Sequence, residues 1–117
     1  MFGLLKKRVY QIDFNEINKE QFDVLLTEIH EILRDSGYVA QANWIIQILS
    51  TVKKGDSEMF KQKVISAELL GGSGSVVDVW IKEDAKMERL DSLMNDFLKL
   101  TVKSGLNYSS VKSRISR

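Results

Sequence analysis

Between Asn18 and Gly37 the apolar residues Phe22, Leu25, Leu26, Ile29, Ile32 and Leu33 recur at intervals of three and four. That spacing collects side chains on one face of an α-helix and on no single face of a strand. Asn18 with Gln21 three residues on has the form of a capping box, and Gly37 can close the helix in the left-handed conformation. The pattern predicts a helix over residues 19–36 with one buried side.

The next segments repeat the argument. From Val39 to Lys54 a broader apolar stripe (Ala42, Ile45, Ile46, Ile48, Leu49, Val52) ends in Lys53-Lys54-Gly55, where cations favour the negative helix end, so a second, central helix is expected. Asp56 reads as the N-cap of a third, running through Met59, Phe60, Val64 and Ile65 to Leu69-Leu70 and stopping at Gly71-Gly72. A last amphipathic helix, from about Asp84 to Lys103, carries Met87, Leu90, Leu93, Met94, Phe97, Leu98 and Leu100 and is closed by Gly105. With no proline in the chain, nothing breaks these stripes from within.

One run is ambiguous. The β-branched Val76-Val77-Asp78-Val79-Trp80-Ile81 favours a strand, but Ser75-x-x-Asp78 resembles a capped helix start. A strand there would have only the segment from Val9 to Phe14 to pair with, so helix is the better reading. The segment after Leu106 is polar and basic and is expected to fray.

The expected fold is therefore all-α, a bundle of four to five helices with at most one short strand pair. It forms a single domain over residues 1–106 with a tail at 107–117, and its core includes Phe22, Leu25, Leu26, Ile29, Ile45, Leu49, Phe60, Leu90, Met94 and Phe97. A chain of 117 residues has room for one such core and not two. No apolar run approaches the length needed to cross a bilayer, and Met1-Phe2-Gly3-Leu4-Leu5-Lys6-Lys7-Arg8 reverses the order of a secretory signal. A cytoplasmic location without membrane contact is expected.

Chemistry is sparse. Without cysteine there is no disulfide, thiolate metal site or thiol nucleophile, and His30, the single histidine, falls on the polar side of the first helix, where exposure is expected. No catalytic residue, metal ligand or cofactor-binding residue is indicated. The loop Gly71-Gly72-Ser73-Gly74-Ser75 follows a helix instead of a strand and lacks the Lys-Ser/Thr pair of a phosphate loop, so it is read as a tight structural turn, with partner contact as the other option. Trp44 and Trp80 could anchor an interface, although a core position is the commoner fate of tryptophan in a small helical domain.

Charge is distributed unevenly. From Tyr10 to Gly37 seven carboxylates (Asp13, Glu16, Glu20, Asp23, Glu28, Glu31, Asp35) face two bases, whereas residues 99–117 carry five bases and no acid. The acidic flanks of the first helix argue against nucleic acid as a ligand. Two solvated faces that attract each other, or an acidic face offered to a basic partner, both fit the pattern.

The run Ala67-Glu68-Leu69-Leu70-Gly71-Gly72-Ser73-Gly74-Ser75-Val76-Val77-Asp78-Val79-Trp80, with Ser36, Gly37, Tyr38 and Trp44 upstream, resembles a family of small bacterial helical proteins. In that family a Gly-Gly-x-Gly-Ser-x-x-Asp motif follows two or three amphipathic helices; Val77 stands here where the family pattern has Asn. The resemblance covers about residues 22–82. It implies an immunity protein of a polymorphic toxin or contact-dependent growth inhibition system, which binds a cognate toxin domain without catalysis. On that reading Asp23, Glu28, Glu31 and Asp35 attract the toxin, with Asp78 and Trp80 beside the loop as contacts; a helix-capping role for Asp78 is the rival. The alternative function is a self-associating helical regulatory or adaptor subunit, and a homodimer is compatible with either.

Overall fold

The structure, a computed structural model, describes residues 11–115. Its helices are α1 (Glu16–Asp35), α2 (Val39–Lys54), α3 (Ser57–Val64), α4 (Ala67–Leu70), α5 (Asp84–Lys103) and α6 (Ser109–Lys112), with a 3-10 turn at Val76–Asp78. No strand occurs among the described residues, and the fold is all-α. None of the described helices is long and apolar enough to cross a membrane.

Helix α1 is the spine, packed against both α2 and α5. Phe22, Leu26, Ile29 and Leu33 form its buried face and meet Ile45, Ile48 and Leu49 of α2 and Leu90, Leu93 and Phe97 of α5. Of the expected core residues only Leu25 stays partly exposed, on the flank of the stripe. Four phenylalanines knit the segments together edge to face: Phe14 lies 5.3 Å from Phe60, Phe60 5.3 Å from Phe22, and Phe22 5.9 Å from Phe97. Such pairs contribute about 0.5–1.5 kcal/mol each beyond the area they bury.

The first helix begins a turn earlier than expected. Asn15, not Asn18, is its N-cap and accepts from the Asn18 amide at 2.7 Å, while the buried Asn18 side chain donates to the Asp13 carbonyl at 2.7 Å. At the other end Gly37 adopts φ 89°, and the amides of Gly37 and Tyr38 bond back to the carbonyls of Arg34 and Leu33 at 3.1 and 2.8 Å. This closure engages two of the last carbonyls of α1 and aims Tyr38 across the end of the bundle.

The single helix expected after Asp56 is broken in two. Asp56 caps α3 as expected, accepting from the Met59 amide at 3.1 Å. The Lys63 carbonyl then takes the Ser66 hydroxyl at 2.6 Å and the Trp44 indole N–H at 3.2 Å. With that acceptor engaged by side chains, the chain turns at Ser66 and restarts as α4. Gly71 follows because a Cβ there would stand 2.9 Å from the Ala67 backbone, which supports the structural reading of the glycine loop.

Residues 76–81 form neither the helix nor the strand weighed for them. A 3-10 turn leads into extended Val79–Ile81, and Asp78 ends that turn, exposed, without capping a helix. Ser75 is buried, and its hydroxyl makes no hydrogen bond among the described residues. Gln11 to Phe14 is not a strand, while Val9 and Tyr10, the Met1–Arg8 segment and Ser116-Arg117 lie outside the described residues. The segment after Leu106, expected to fray, docks instead: Val111 is fully buried, Tyr108 and Ile115 pack on the core, and the Arg114 guanidinium donates to the Leu70 carbonyl at 2.7 Å.

Candidate partner-binding surface

The extended stretch Val79-Trp80-Ile81 turns alternate side chains to opposite sides. Val79 and Ile81 are buried, so Trp80 must point outward, and it is 67% exposed. An exposed indole is the opposite of the core position sequence reasoning favoured for Trp80. Its backbone is nevertheless held on both sides: the Tyr38 hydroxyl donates to the Trp80 carbonyl at 2.6 Å, and the Ile81 amide donates to the Met87 sulfur at 3.2 Å. The result is a large amphipathic ring standing in water on an anchored main chain.

Around it lies a cleft of about 350 Å3, lined by Asp35 and Tyr38 from the α1–α2 turn and by Trp80, Lys82 and Lys86 from the approach to and first turn of α5. Asp35 and Trp80, far apart in sequence, are thereby brought to one place. Glu31 sits one turn before Asp35 on the side of α1 opposite the core, is exposed, and makes no ion pair or side-chain hydrogen bond among the described residues. Glu28 continues the same ridge, but Arg89 of α5 grips it in a two-pronged pair at 2.7 and 2.8 Å. The hydrogen bonds from Arg89 hold the Glu28 carboxyl below its ordinary range, with their electrostatic attraction adding to the effect.

The remaining expected contacts fall elsewhere. Asp23 lies on the flank of α1, where it accepts from the Thr27 hydroxyl at 3.0 Å and shares a hollow with Lys53 of α2. Asp78 is exposed but does not line the Trp80 cleft. Asp35 is partly screened by Arg34 at 3.3 Å. The expected acidic face therefore reduces to a short ridge, Glu28–Glu31–Asp35, whose end meets an aromatic cleft. Tyr38, which sequence reasoning did not single out for contact, is the residue that fixes the cleft; its position directly after the helix-closing Gly37 was the available signal.

Trp44 has the opposite environment. It packs on the core, its N–H is bonded to the Lys63 carbonyl, and the Lys63 ammonium sits 4.4 Å from its ring centroid, itself bonded to Gln47 at 2.9 Å. His30 is half-buried in α1 instead of exposed. Among the described residues no three His, Asp or Glu side chains are grouped to hold a metal ion.

The fold and surface define an all-α domain that presents one anchored aromatic cleft with an acidic border. Comparison with protein-family models, with curated proteins and with solved structures finds no match to this chain. Its own surface chemistry is what bears on its function.

Proposed function

We propose that this protein is a non-catalytic binding module, an immunity protein that neutralises a cognate bacterial toxin domain by covering it. The observation that supports this reading is the exposed Trp80 ring on a backbone pinned by Tyr38 and by the Ile81 amide. Tryptophan and tyrosine are over-represented among residues that dominate binding energy, and a pre-positioned anchor loses little freedom on docking. Asp35 at the edge of the same cleft, with Glu31 one turn further back along α1, would attract basic groups around a toxin's active site and set orientation more than raw affinity. The α5 side of the cleft carries Lys82, Lys86 and Glu83, the last two 3.9 Å apart, so the matching surface needs an apolar socket and a basic group toward Asp35.

The test is capture of the partner by tagged protein from its native cells, followed by a one-to-one inhibition assay on the purified captured domain. Wild-type protein is expected to abolish that domain's toxicity. Trp80→Ala should weaken capture by roughly a hundredfold, in line with a dominant anchor of 2–4 kcal/mol, and Glu31→Lys with Asp35→Lys should slow association. Inhibition by Trp80→Ala equal to wild type, or a captured domain whose activity the wild type leaves untouched, would refute the reading.

A further inference from the structure

A second hollow on the surface does not involve Trp80. It is a groove of about 670 Å3 between the outer sides of α1 and α5, floored by Leu25 and Leu100 and bordered on the α1 side by Ile17 and Val24. Ile17 and Val24 lie seven residues apart on the ridge facing away from the core and are 68% and 61% exposed. Two β-branched apolar side chains on the solvent side of an amphipathic helix leave apolar surface uncovered at the position where such a helix normally carries polar groups. Among the described residues nothing covers them.

The banks of the groove carry opposite charge. Glu20 stands on α1, Lys99 and Lys103 on α5, and none of the three makes an ion pair within 4 Å among the described residues. With Phe22 against Phe97 and Glu28 against Arg89, the two helices run antiparallel, so Glu20 falls level with Lys99. Asp96, the remaining charge on the α5 bank, falls level with the amide of Gln21.

We propose that this groove is where two copies of the chain meet. A patch with acid on one bank, base at the same level on the other and an apolar floor between is complementary to itself. A two-fold axis lying along the groove places α1 of one copy against α5 of the second, sets each Glu20 opposite the other copy's Lys99, and closes Ile17 and Val24 over the α5 bank that carries Leu100. The near balance of acids and bases also suits a second copy better than a strongly charged partner, in contrast to the Glu31–Asp35 ridge. The groove shares no lining residue with the Trp80 cleft, so the dimer is tested separately from the toxin-binding reading.

Sedimentation equilibrium of the full chain, from about 1 μM to about 0.5 mM, tests this over the range of weak to moderate self-affinity. The expected result is a rise in mass to twice that of one chain. Val24→Asp, confirmed folded by circular dichroism, should weaken dimerisation by at least about tenfold, while Trp80→Ala leaves it unchanged. Glu20→Lys alone and Lys99→Glu alone should each weaken self-association, because like charges then meet twice across the two-fold; mixing the two variant chains should restore a dimer made of one of each. A wild type that stays monomeric throughout, a dimer indifferent to Val24→Asp, or a mixture no tighter than its components would overturn the proposal.

Discussion

The two tryptophans occupy opposite situations within one small domain. Trp44 is tied at every point: its ring packs on the core and lies near a lysine ammonium, and its N–H occupies a carbonyl at the end of α3. Trp80 is tied only through its main chain, and its ring is left to solvent. The difference separates a residue that builds the fold from one that the fold displays. It arises from local backbone: a helical stripe turns Trp44 toward its neighbours, whereas the alternation of an extended segment turns Trp80 away from Val79 and Ile81.

Three substitutions can break or sharpen that contrast. Trp44→Ala should have the largest effect on stability, about 2 kcal/mol, because it removes half-buried ring area and leaves the Lys63 carbonyl with one donor fewer; chemical denaturation reads this directly. Trp80→Ala should alter unfolding free energy by no more than about 0.5 kcal/mol, as expected for a side chain with little buried contact. A large loss there would make Trp80 structural and erase the contrast.

Arg89→Met should have the smallest effect, since both side chains of the Glu28 pair are well exposed and such pairs add little. Its sign with pH is defined. The Glu28 carboxyl is held below its unfolded value, so the pair's contribution is present at neutral pH and is lost as acid protonates Glu28 through its depressed folded range. The stability difference between wild type and Arg89→Met should therefore shrink on acidification, measured by thermal unfolding against pH.

The parts of the fold that could be read in the sequence are those with long periodic stripes. Helices α1, α2 and α5 each carry enough apolar turns that the period alone identifies them, and their ends at Gly37, Gly55 and Gly105 follow from glycine's access to positive φ. What was hidden depends on contacts between distant residues. Asn15 and Asn18 offer equivalent caps locally, and the choice is settled by the Asn18 side chain reaching the Asp13 carbonyl. The break at Ser66 depends on Trp44 arriving from another helix, and the docking of the last segment on Leu70 presenting its carbonyl to Arg114.

The candidate site divides the same way. Glu28, Glu31 and Asp35 share a helix face, which their spacing alone implies. That Arg89 neutralises the first of them, and that the last meets Trp80, required the packing of α5 and the Tyr38 bond. The outward turn of Trp80 was available in principle from the apolar residues on either side of it, had the run been read as extended.

The entry segment ahead of α1 has a consequence for how the chain reaches this structure. Ile12 donates to the Ser57 hydroxyl at 3.0 Å across 45 residues, Asp13 donates to the Ser104 carbonyl at 2.8 Å, and Gly105 has no side chain because a Cβ would press on the Gln11 carbonyl at 3.2 Å. Helices α1 and α2 close through a short turn, but this clamp must draw together residues from both ends of the chain and therefore carries the greater loop-closure entropy. In a molecule otherwise built largely from local contacts, such a junction is expected to form late in folding and to open early, with the Phe14 ring the last placed in the aromatic cluster and the first to leave it.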